Sequence, residues 1–262
     1  MIGAITGDVV GSIYENFKIK NKEFDLFKKR CRFTDDTVMT IAVANALVKC
    51  GTKNEESLTN ELIVQMKKLG RKYPLAGYGG SFIGWLISNS TKPYNSFGNG
   101  SAMRVSPVSF VAETLEEAEK LAEITAGVTH NHPEGIKGAR AVAVAGFLAR
   151  KYKDKALIKS YIEENYYPLN FTLDEIRPHY KFDVTCQGSV PQAIVAFLES
   201  ESFEDAIRNA VSLGGDSDTQ GAMAGGIAEA YYGVDDDIKN TVLKYLDDNL
   251  KQSVEEFYSY IG

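Results

Sequence analysis

Apolar residues recur along this chain mainly three and four positions apart, the spacing that collects side chains on one face of an α-helix. A first helical segment covers residues 2–15, and further helices are predicted over residues 34–49, 54–70, 80–88, 115–127, 135–151, 189–200, 203–212, 217–232, 236–250 and 253–260. Residues 16–33 and 153–185 lack a clear period and are predicted to be irregular. Because strand-like alternation is scarce, we predict an all-α fold with one domain over residues 1–262.

The first segment carries a glycine at every fourth position, namely Gly3, Gly7 and Gly11. On a helix these positions form a smooth stripe, although each glycine lowers helix stability by about 1 kcal/mol relative to alanine. The stripe therefore predicts close packing against another backbone. Asp8 and Glu15 are seven positions apart and lie on nearly the same face. Glu15 stands where the pattern ends and is a candidate catalytic base.

The composition fits one large globular domain, since 44% of the 262 residues are hydrophobic and 24% are charged. A net charge of −6 argues against sequence-independent binding of nucleic acid. The cysteines at positions 31, 50 and 186 are too widely spaced to predict a disulfide framework or a thiolate zinc site. The N-terminus does not resemble a leader, and no apolar run reaches the roughly 18 residues of a membrane helix. We expect a cytoplasmic monomer with no membrane partner.

Two short acidic clusters share one pattern, in which a hydroxyl residue and two aspartates stand at the start of an apolar helix. The clusters consist of Thr34, Asp35 and Asp36, and of Asp216, Asp218 and Thr219. Helix capping explains either cluster alone, because hydroxyl and carboxylate groups are favoured at helix N-termini. Both together supply the oxygen ligands that Mg²⁺ prefers. We interpret them as the two halves of one metal site.

Residues 18–32, which connect the first segment to the first acidic cluster, contain seven basic and two acidic residues, a net charge of +5. One interpretation is a solvated loop, since runs of charge usually face water. The alternative is that the loop faces the site and attracts a phosphate-bearing substrate.

Residues 96–104 read Ser-Phe-Gly-Asn-Gly-Ser-Ala-Met-Arg, with two glycines at a predicted helix start. Such a turn lets backbone N–H groups face an anion, although a simple turn with a cap explains the same residues. The spacing matches neither a Walker loop nor a dinucleotide-binding fingerprint. His130 and His132 have no further nitrogen or thiolate ligand nearby for zinc. Hydrogen bonding to a substrate or to the backbone is therefore favoured for them.

The ordered set of these motifs resembles the ADP-ribosylglycohydrolase family. The resemblance rests on residues 7–15, 34–37, 98–104 and 214–219 together with His130. It implies an orthogonal all-α bundle with a centre of two Mg²⁺ ions, replaced by Mn²⁺ in some members. The implied metal ligands are Thr34, Asp35, Asp36, Asp216, Asp218 and Thr219, and the implied substrate-binding residues are Ser96, Gly98, Asn99, Ser101 and His130. Glu15, Asp35 and Asp216 are the implied catalytic residues.

The implied activity is metal-dependent removal of ADP-ribose from a modified acceptor at the ribose anomeric carbon. Two other metal-dependent classes fail on the spacing of the aspartates. A haloacid-dehalogenase-type phosphatase needs a Thr or Val where Gln220 stands, and a terpene-synthase-like enzyme needs an Asp where Met39 stands. A non-catalytic ADP-ribose-binding or structural member is the remaining alternative. ADP-ribose is the expected product, and the acceptor (protein, nucleic acid or small molecule) stays open.

Overall fold

The computed structural model describes residues 1–15 and 17–262, which form fifteen α-helices and a short 3-10 helix, Leu243–Tyr245. The α-helices are α1 (Ile2–Gly11), α2 (Asp35–Cys50), α3 (Glu55–Lys72), α4 (Gly80–Ile87), α5 (Gly100–Met103), α6 (Ser106–Val111), α7 (Leu115–Gly127), α8 (Pro133–Tyr152), α9 (Lys155–Asn165), α10 (Leu173–Ile176), α11 (Cys186–Leu198), α12 (Phe203–Val211), α13 (Ser217–Tyr232), α14 (Asp236–Val242) and α15 (Asp248–Ile261). These described residues contain no strand, and their one extended pairing is an isolated bridge between Gly98 and Thr185. The prediction of an all-α fold is confirmed. In the same residues, no helix has the length and hydropathy needed to cross a membrane.

Helix α13 lies at the centre of the fold, and its residues 217–230 are all buried. Helices α1, α8, α11 and α12 pack against it. A helix covered on so many sides has no solvent-facing polar stripe, and its alanines and glycines allow the neighbours to come close. The polar residues at its N-terminus are consequently held inside the protein.

The most extensive helix contact joins α1 to α13 through glycines on both helices. A Cβ atom added at Gly7 would lie 1.9 Å from the carbonyl oxygen of Gly221, and one added at Gly3 would lie 2.2 Å from that of Gly225. The two backbones therefore touch with no side chain between them, as the glycine stripe predicts. This contact places Asp8 of α1 beside the first turn of α13.

Helix α2 meets the same end of α1. Thr34 caps α2 by accepting a hydrogen bond from the Asp36 N–H at 3.3 Å, and it also donates its own N–H to Asp8 at 2.9 Å. Gly11, at the other side of Asp8, lies against the backbone of Asp218. Because α1 contacts both helices, the N-termini of α2 and α13 converge at its C-terminal end.

The prediction that residues 153–185 are irregular is wrong for α9 and for the four-residue α10. Asp154 begins α9 by accepting hydrogen bonds from the next helical N–H groups. Only Ile158 and Ile162 of this helix are buried. Two buried residues, one helical turn apart, are too few to give a recognisable apolar pattern in the sequence.

The ends of two other predicted helices also differ. Helix α1 stops at Gly11, so Glu15 follows it in a turn instead of closing the helix. Near the C-terminus, the predicted helices 236–250 and 253–260 are replaced by α14 and α15, with the break at Leu246 and Asp247. Asp247 causes the restart, because its carboxylate caps α15 by accepting from the Leu250 N–H at 3.0 Å.

Gly7→Ala is expected to destabilise the fold, because the added methyl group collides with the Gly221 carbonyl group. Overpacking of this kind lowers the free energy of unfolding by about 3 kcal/mol, which outweighs the gain of about 1 kcal/mol in helix propensity. Urea denaturation measures the difference. The matched control is Gly84→Ala on α4, where an added Cβ meets no described atom within 4 Å and no loss is expected. Equal denaturation midpoints for the two variants would contradict this packing.

Candidate active site and metal centre

The two acidic clusters meet at the N-termini of α2 and α13. Thr219 Oγ1 donates to Asp36 Oδ2 at 3.2 Å across 183 positions of sequence. Asp8, Asp36 and Asp218 each offer a carboxylate oxygen, and these three oxygens lie within 4.8 Å of one another. All three side chains are buried. The structure thus brings both predicted clusters into one acidic centre.

Helix capping alone does not explain this arrangement. Asp216 occupies the N-cap position of α13 but makes no capping hydrogen bond. Its Oδ2 accepts instead from Asn99 Nδ2 at 2.7 Å. Asp36 Oδ1 is buried and has no hydrogen-bond partner among the described residues. Since a buried carboxylate oxygen without a partner is strongly unfavourable, this set of oxygens fits a bound cation.

Asp8 belongs to the centre, although the sequence analysis assigned it no role there. Its carboxylate accepts hydrogen bonds from the backbone N–H groups of Thr34 and Thr37, at 2.9 and 3.0 Å, and from both of their hydroxyl groups. These four bonds hold the start of α2 against α1. The signal for this role was present in the sequence, because Asp8 is the single charged residue of an otherwise small and apolar helix.

Burial makes the acidic centre electrostatically unfavourable by itself. The pKa of Asp8 is raised to about 7 and that of Asp35 to about 8, first by desolvation and then by the negative charge of Asp218. The same two causes raise the pKa values of Asp36 and Asp216 well above the usual range. Crowded carboxylates retain protons near neutral pH unless a bound cation neutralises their charge instead.

Glu15 and Arg32 line one part of a cavity of about 450 Å³ over the acidic centre. Burial and the charge of Asp218 raise the pKa of Glu15, while the positive charge of Arg32 lowers it. Arg32 is the residue of the basic segment 18–32 that reaches the cavity. Elsewhere in that segment, Lys20 donates to two backbone carbonyl groups and Lys22 forms an ion pair. Lys20 and Lys22 therefore attach the segment to the rest of the protein. Of the segment's residues, Arg32 lines the cavity.

The turn at residues 96–100 lines another part of the same cavity. The N–H groups of Gly98 and Asn99 are hydrogen-bonded within the protein, as in the simple turn. Gly98 donates to Ser96 Oγ at 3.1 Å, and Asn99 donates to the Val184 carbonyl oxygen at 2.7 Å. No described residue accepts a hydrogen bond from the Gly100 N–H, which leaves that amide for a ligand.

Ser101 and His130, both predicted to bind substrate, differ in their access to the cavity. Ser101 is fully buried, and its hydroxyl group donates to the Gly135 carbonyl oxygen at 2.7 Å. Its side chain does not belong to the cavity wall, so its position does not support a direct contact. His130 lines the cavity beside Gly98 and Gly100.

A buried hydrogen-bond chain orients His130. Arg104 donates to Thr129 Oγ1 at 2.8 Å, and Thr129 Oγ1 lies 2.7 Å from His130 Nδ1. Because the arginine only donates, the threonine proton is free to point at Nδ1, and this favours the tautomer with the proton on Nε2. Nε2 is the ring atom nearest Gly100. His130 therefore presents a neutral N–H donor to the cavity.

Two further wall segments were not assigned to the site from the sequence. One is the start of α4 with the residues before it, where Gly77 adopts a φ of 120° and an added Cβ would lie 3.1 Å from Asp35 Oδ1. The glycines at positions 77, 79 and 80 were the available signal. The other consists of Phe182 and Val184, which come from the segment predicted to be irregular. Their sequence carried no signal, because only the tertiary fold brings them to the cavity.

The chain belongs to the ADP-ribosylglycohydrolase family, whose model matches residues 1–261. Among curated proteins it is 25% identical over 311 aligned positions to the ADP-ribosylhydrolase ARH3 of Homo sapiens, with 90% of this chain and 85% of that protein covered. It is 24% identical over 263 positions to the ADP-ribosyl-[dinitrogen reductase] glycohydrolase of Rhodospirillum rubrum, with 90% and 85% covered. Among solved structures, an ADP-ribosylglycohydrolase-related protein complex matches with a TM-score of 0.65 and 20% identity, covering 100% of this chain and 97% of that one. This last match supports the fold.

His130 is expected to make the folded protein less stable below about pH 6.5. Its pKa in the folded protein lies well below the usual value, first because the ring is buried and second because Arg104 is positively charged. The unfolded chain therefore binds a proton that the folded protein does not bind. The free energy of unfolding falls as the pH drops below the unfolded pKa, by at most about 1.4 kcal/mol per pH unit.

The measurement is the free energy of unfolding of wild type and His130→Gln between pH 5 and 8, with chelator present. The carboxylates titrate equally in both proteins, so the difference isolates the histidine. The wild type should lose stability relative to the variant as the pH falls, and a constant difference would contradict the assignment. The matched control is His179→Gln, which removes a histidine from an exposed position outside the cavity wall.

Proposed function

We propose that this protein is a hydrolase that removes ADP-ribose from a modified acceptor by cleaving the bond at the ribose anomeric carbon, with divalent cations in its acidic centre. The observation that carries this proposal is the convergence of buried carboxylates from two helix N-termini beside a cavity, in a member of the ADP-ribosylglycohydrolase family. The names of the relatives, an ADP-ribosylhydrolase and a glycohydrolase acting on ADP-ribosyl-[dinitrogen reductase], agree with it.

Two Mg²⁺ ions, or Mn²⁺ ions, fit the charge of this centre. The residues that would hold them are Thr34, Asp35, Asp36, Asp216, Asp218 and Thr219. The four aspartates among these supply four negative charges, which two divalent cations would neutralise. Asp8 adds a fifth charge, which the N–H and hydroxyl groups of Thr34 and Thr37 stabilise. A cation would also satisfy the unpartnered Asp36 Oδ1. When bound, such cations polarise water and bind the hydroxyl groups of a sugar. Asp8 has its hydrogen-bonding capacity taken up by Thr34 and Thr37, so its role is to hold the ligand residues in place.

Glu15 is the residue best placed to accept the proton of the attacking water. It lies on the cavity wall next to the acidic centre and forms no hydrogen bond with a described residue. Its raised pKa brings it closer to neutrality, where a carboxylate is a more effective base. The water oxygen bonds to the anomeric carbon while the bond to the acceptor breaks and its electron pair leaves with the acceptor. Glu15 takes the water proton and returns a proton to the departing group.

The ADP-ribose diphosphate is proposed to bind between the turn at residues 96–100 and the start of α4. The Gly100 amide and the His130 Nε2–H are hydrogen-bond donors on one wall. On the other, α4 begins at Gly80 with no side-chain cap, so its first backbone N–H groups are available to an anion. Because His130 is neutral, it contributes to binding by donating a hydrogen bond and not by its charge.

Asp36→Asn is expected to abolish the function while leaving the fold intact. A neutral amide is a weaker ligand than a carboxylate for a hard divalent cation and removes one negative charge, so kcat/KM for release of ADP-ribose should fall by about 100-fold. A second readout does not depend on activity: Mg²⁺ at about 100 times its Kd should stabilise the wild type by about 2.7 kcal/mol, and this stabilisation should be lost in the variant. Thermal denaturation with and without Mg²⁺ measures it.

Asp25→Asn, at an exposed position of the connecting segment, is the matched control and should retain both properties. Full release of ADP-ribose by the wild type in excess chelator would contradict the metal-dependent scheme. Binding of ADP-ribose without release from arginine-linked, serine-linked or nucleic-acid-linked substrates would instead identify a non-catalytic binding protein.

A further inference from the structure

Lys20, in the segment before α2, joins two parts of the chain that are distant from it in sequence. Its ammonium group donates hydrogen bonds to the carbonyl oxygens of Leu213 and Tyr180, the latter at 2.7 Å. No described backbone N–H group donates to either of these oxygens. Since Leu213 is fully buried, Lys20 supplies the hydrogen bond that a buried carbonyl group requires. The lysine is therefore part of the folded structure and not only a charge on a solvated loop.

The turn that leads into α13, at Gly214 and Gly215, passes between Lys20 and Tyr180. Gly214 adopts a φ of 62°, and a Cβ atom added there would lie 3.1 Å from Lys20 Cε. A Cβ atom added at Gly215 would lie 2.4 Å from Cε1 of the Tyr180 ring. Neither position has room for a side chain, so the lysine and the tyrosine hold the turn from opposite sides.

Tyr180 is anchored independently of Lys20, through its phenol group. The hydroxyl group donates to the Gly188 carbonyl oxygen of α11 at 2.6 Å and accepts from Gln220 Nε2 of α13 at 2.9 Å. The segment between α10 and α11, to which Tyr180 belongs, also supplies part of the cavity wall. The two hydrogen bonds of Lys20 therefore fasten the turn before α13 to a fixed neighbour.

Asp216 follows this turn and depends on it for its orientation. It stands at the N-cap position of α13 but makes no capping hydrogen bond, so the usual contact that fixes an N-cap side chain is missing. Its carboxylate accepts from Asn99 Nδ2 at 2.7 Å instead. A metal ligand has to be held to within about 0.5 Å of its working position. The backbone that precedes Asp216 must therefore be rigid.

We propose that Lys20 is a positioning residue, which holds the turn at Gly214 and Gly215 so that Asp216 faces the cation site. This inference rests on the proposed function, since it assigns to Lys20 a share of the affinity for divalent cations. Groups that orient a metal ligand from behind typically account for roughly 10- to 100-fold in metal affinity.

The direction of the effect separates positioning from simple charge. A lysine close to the acidic centre repels a cation, so removing its charge would by itself strengthen the binding of Mg²⁺. Loss of positioning has the opposite sign, because a displaced Asp216 is a poorer ligand. A substitution of Lys20 that weakens Mg²⁺ binding therefore cannot be explained by electrostatic repulsion.

The experiment compares Lys20→Gln with Lys18→Gln, which removes the same charge from an exposed position two residues earlier. Lys20→Gln should raise the Kd of Mg²⁺, measured by calorimetry, by about tenfold. Lys18→Gln should leave the Kd unchanged or slightly lower. Lys20→Arg keeps the charge and several N–H donors and should remain closer to the wild type than Lys20→Gln. A Kd in Lys20→Gln equal to or lower than that of the wild type would overturn the assignment.

A second measurement needs neither metal nor activity. In excess chelator, amide hydrogen exchange at residues 214–216 should be about tenfold faster in Lys20→Gln than in the wild type, and unchanged in Lys18→Gln. Exchange in α3, which packs against α2 and α7, should be the same in all three proteins and shows that the fold is intact. Equal exchange at residues 214–216 in the wild type and Lys20→Gln would contradict the role of Lys20.

Failure of the proposed function gives a different result. If the wild type binds Mg²⁺ but releases ADP-ribose from no substrate, the assigned activity is wrong, and the comparison of Kd values still decides the role of Lys20. If the wild type binds no divalent cation, the proposed metal centre and this inference fall together.

Discussion

The direct contact of two helix backbones, α1 against α13, is the constraint on which the rest of this structure depends. Glycines on both helices leave no side chain between them, and an added methyl group at Gly7 would approach the Gly221 carbonyl oxygen to 1.9 Å. Only this short separation lets Asp8 of one helix approach Asp218 at the start of the other. The glycines weaken each helix by itself. The close packing that the glycines permit stabilises the two helices in the folded protein.

This contact places several negative charges in the interior, where carboxylates are unfavourable. The protein handles them in different ways. Asp8 is satisfied by four hydrogen bonds from the start of α2, and Asp216 by the amide of Asn99. Asp36 retains an unpartnered oxygen, and the pKa values of the group are raised. A buried group of carboxylates lowers the stability of the fold, and the cations that we propose would offset this cost by neutralising the charge.

The cavity above the acidic centre has two chemically different sides. Near the turn at residues 96–100, the donors are neutral: the Gly100 amide and the His130 ring, which Thr129 and Arg104 hold in one tautomer. Near the end of α1, the groups are ionic: Glu15 and the exposed Arg32. The substrate that we propose, with an anionic diphosphate and a separate leaving group, matches this division. Arg104 is buried and donates its hydrogen bonds within the protein, whereas Arg32 is exposed.

The amino-acid sequence by itself determined the helical class, the glycine stripe and the two acidic clusters, because helix period, glycine spacing and hydroxyl–aspartate patterns are local properties. It did not reveal α9, whose buried face has two residues, or the use of the Gly98 and Asn99 amides within the protein. Only the tertiary structure decided that Asp8 joins the centre, that Phe182 and Val184 reach the cavity, and that Arg32 alone of its segment lies on the wall. These features depend on which distant backbones touch, and that is set by packing of the whole chain.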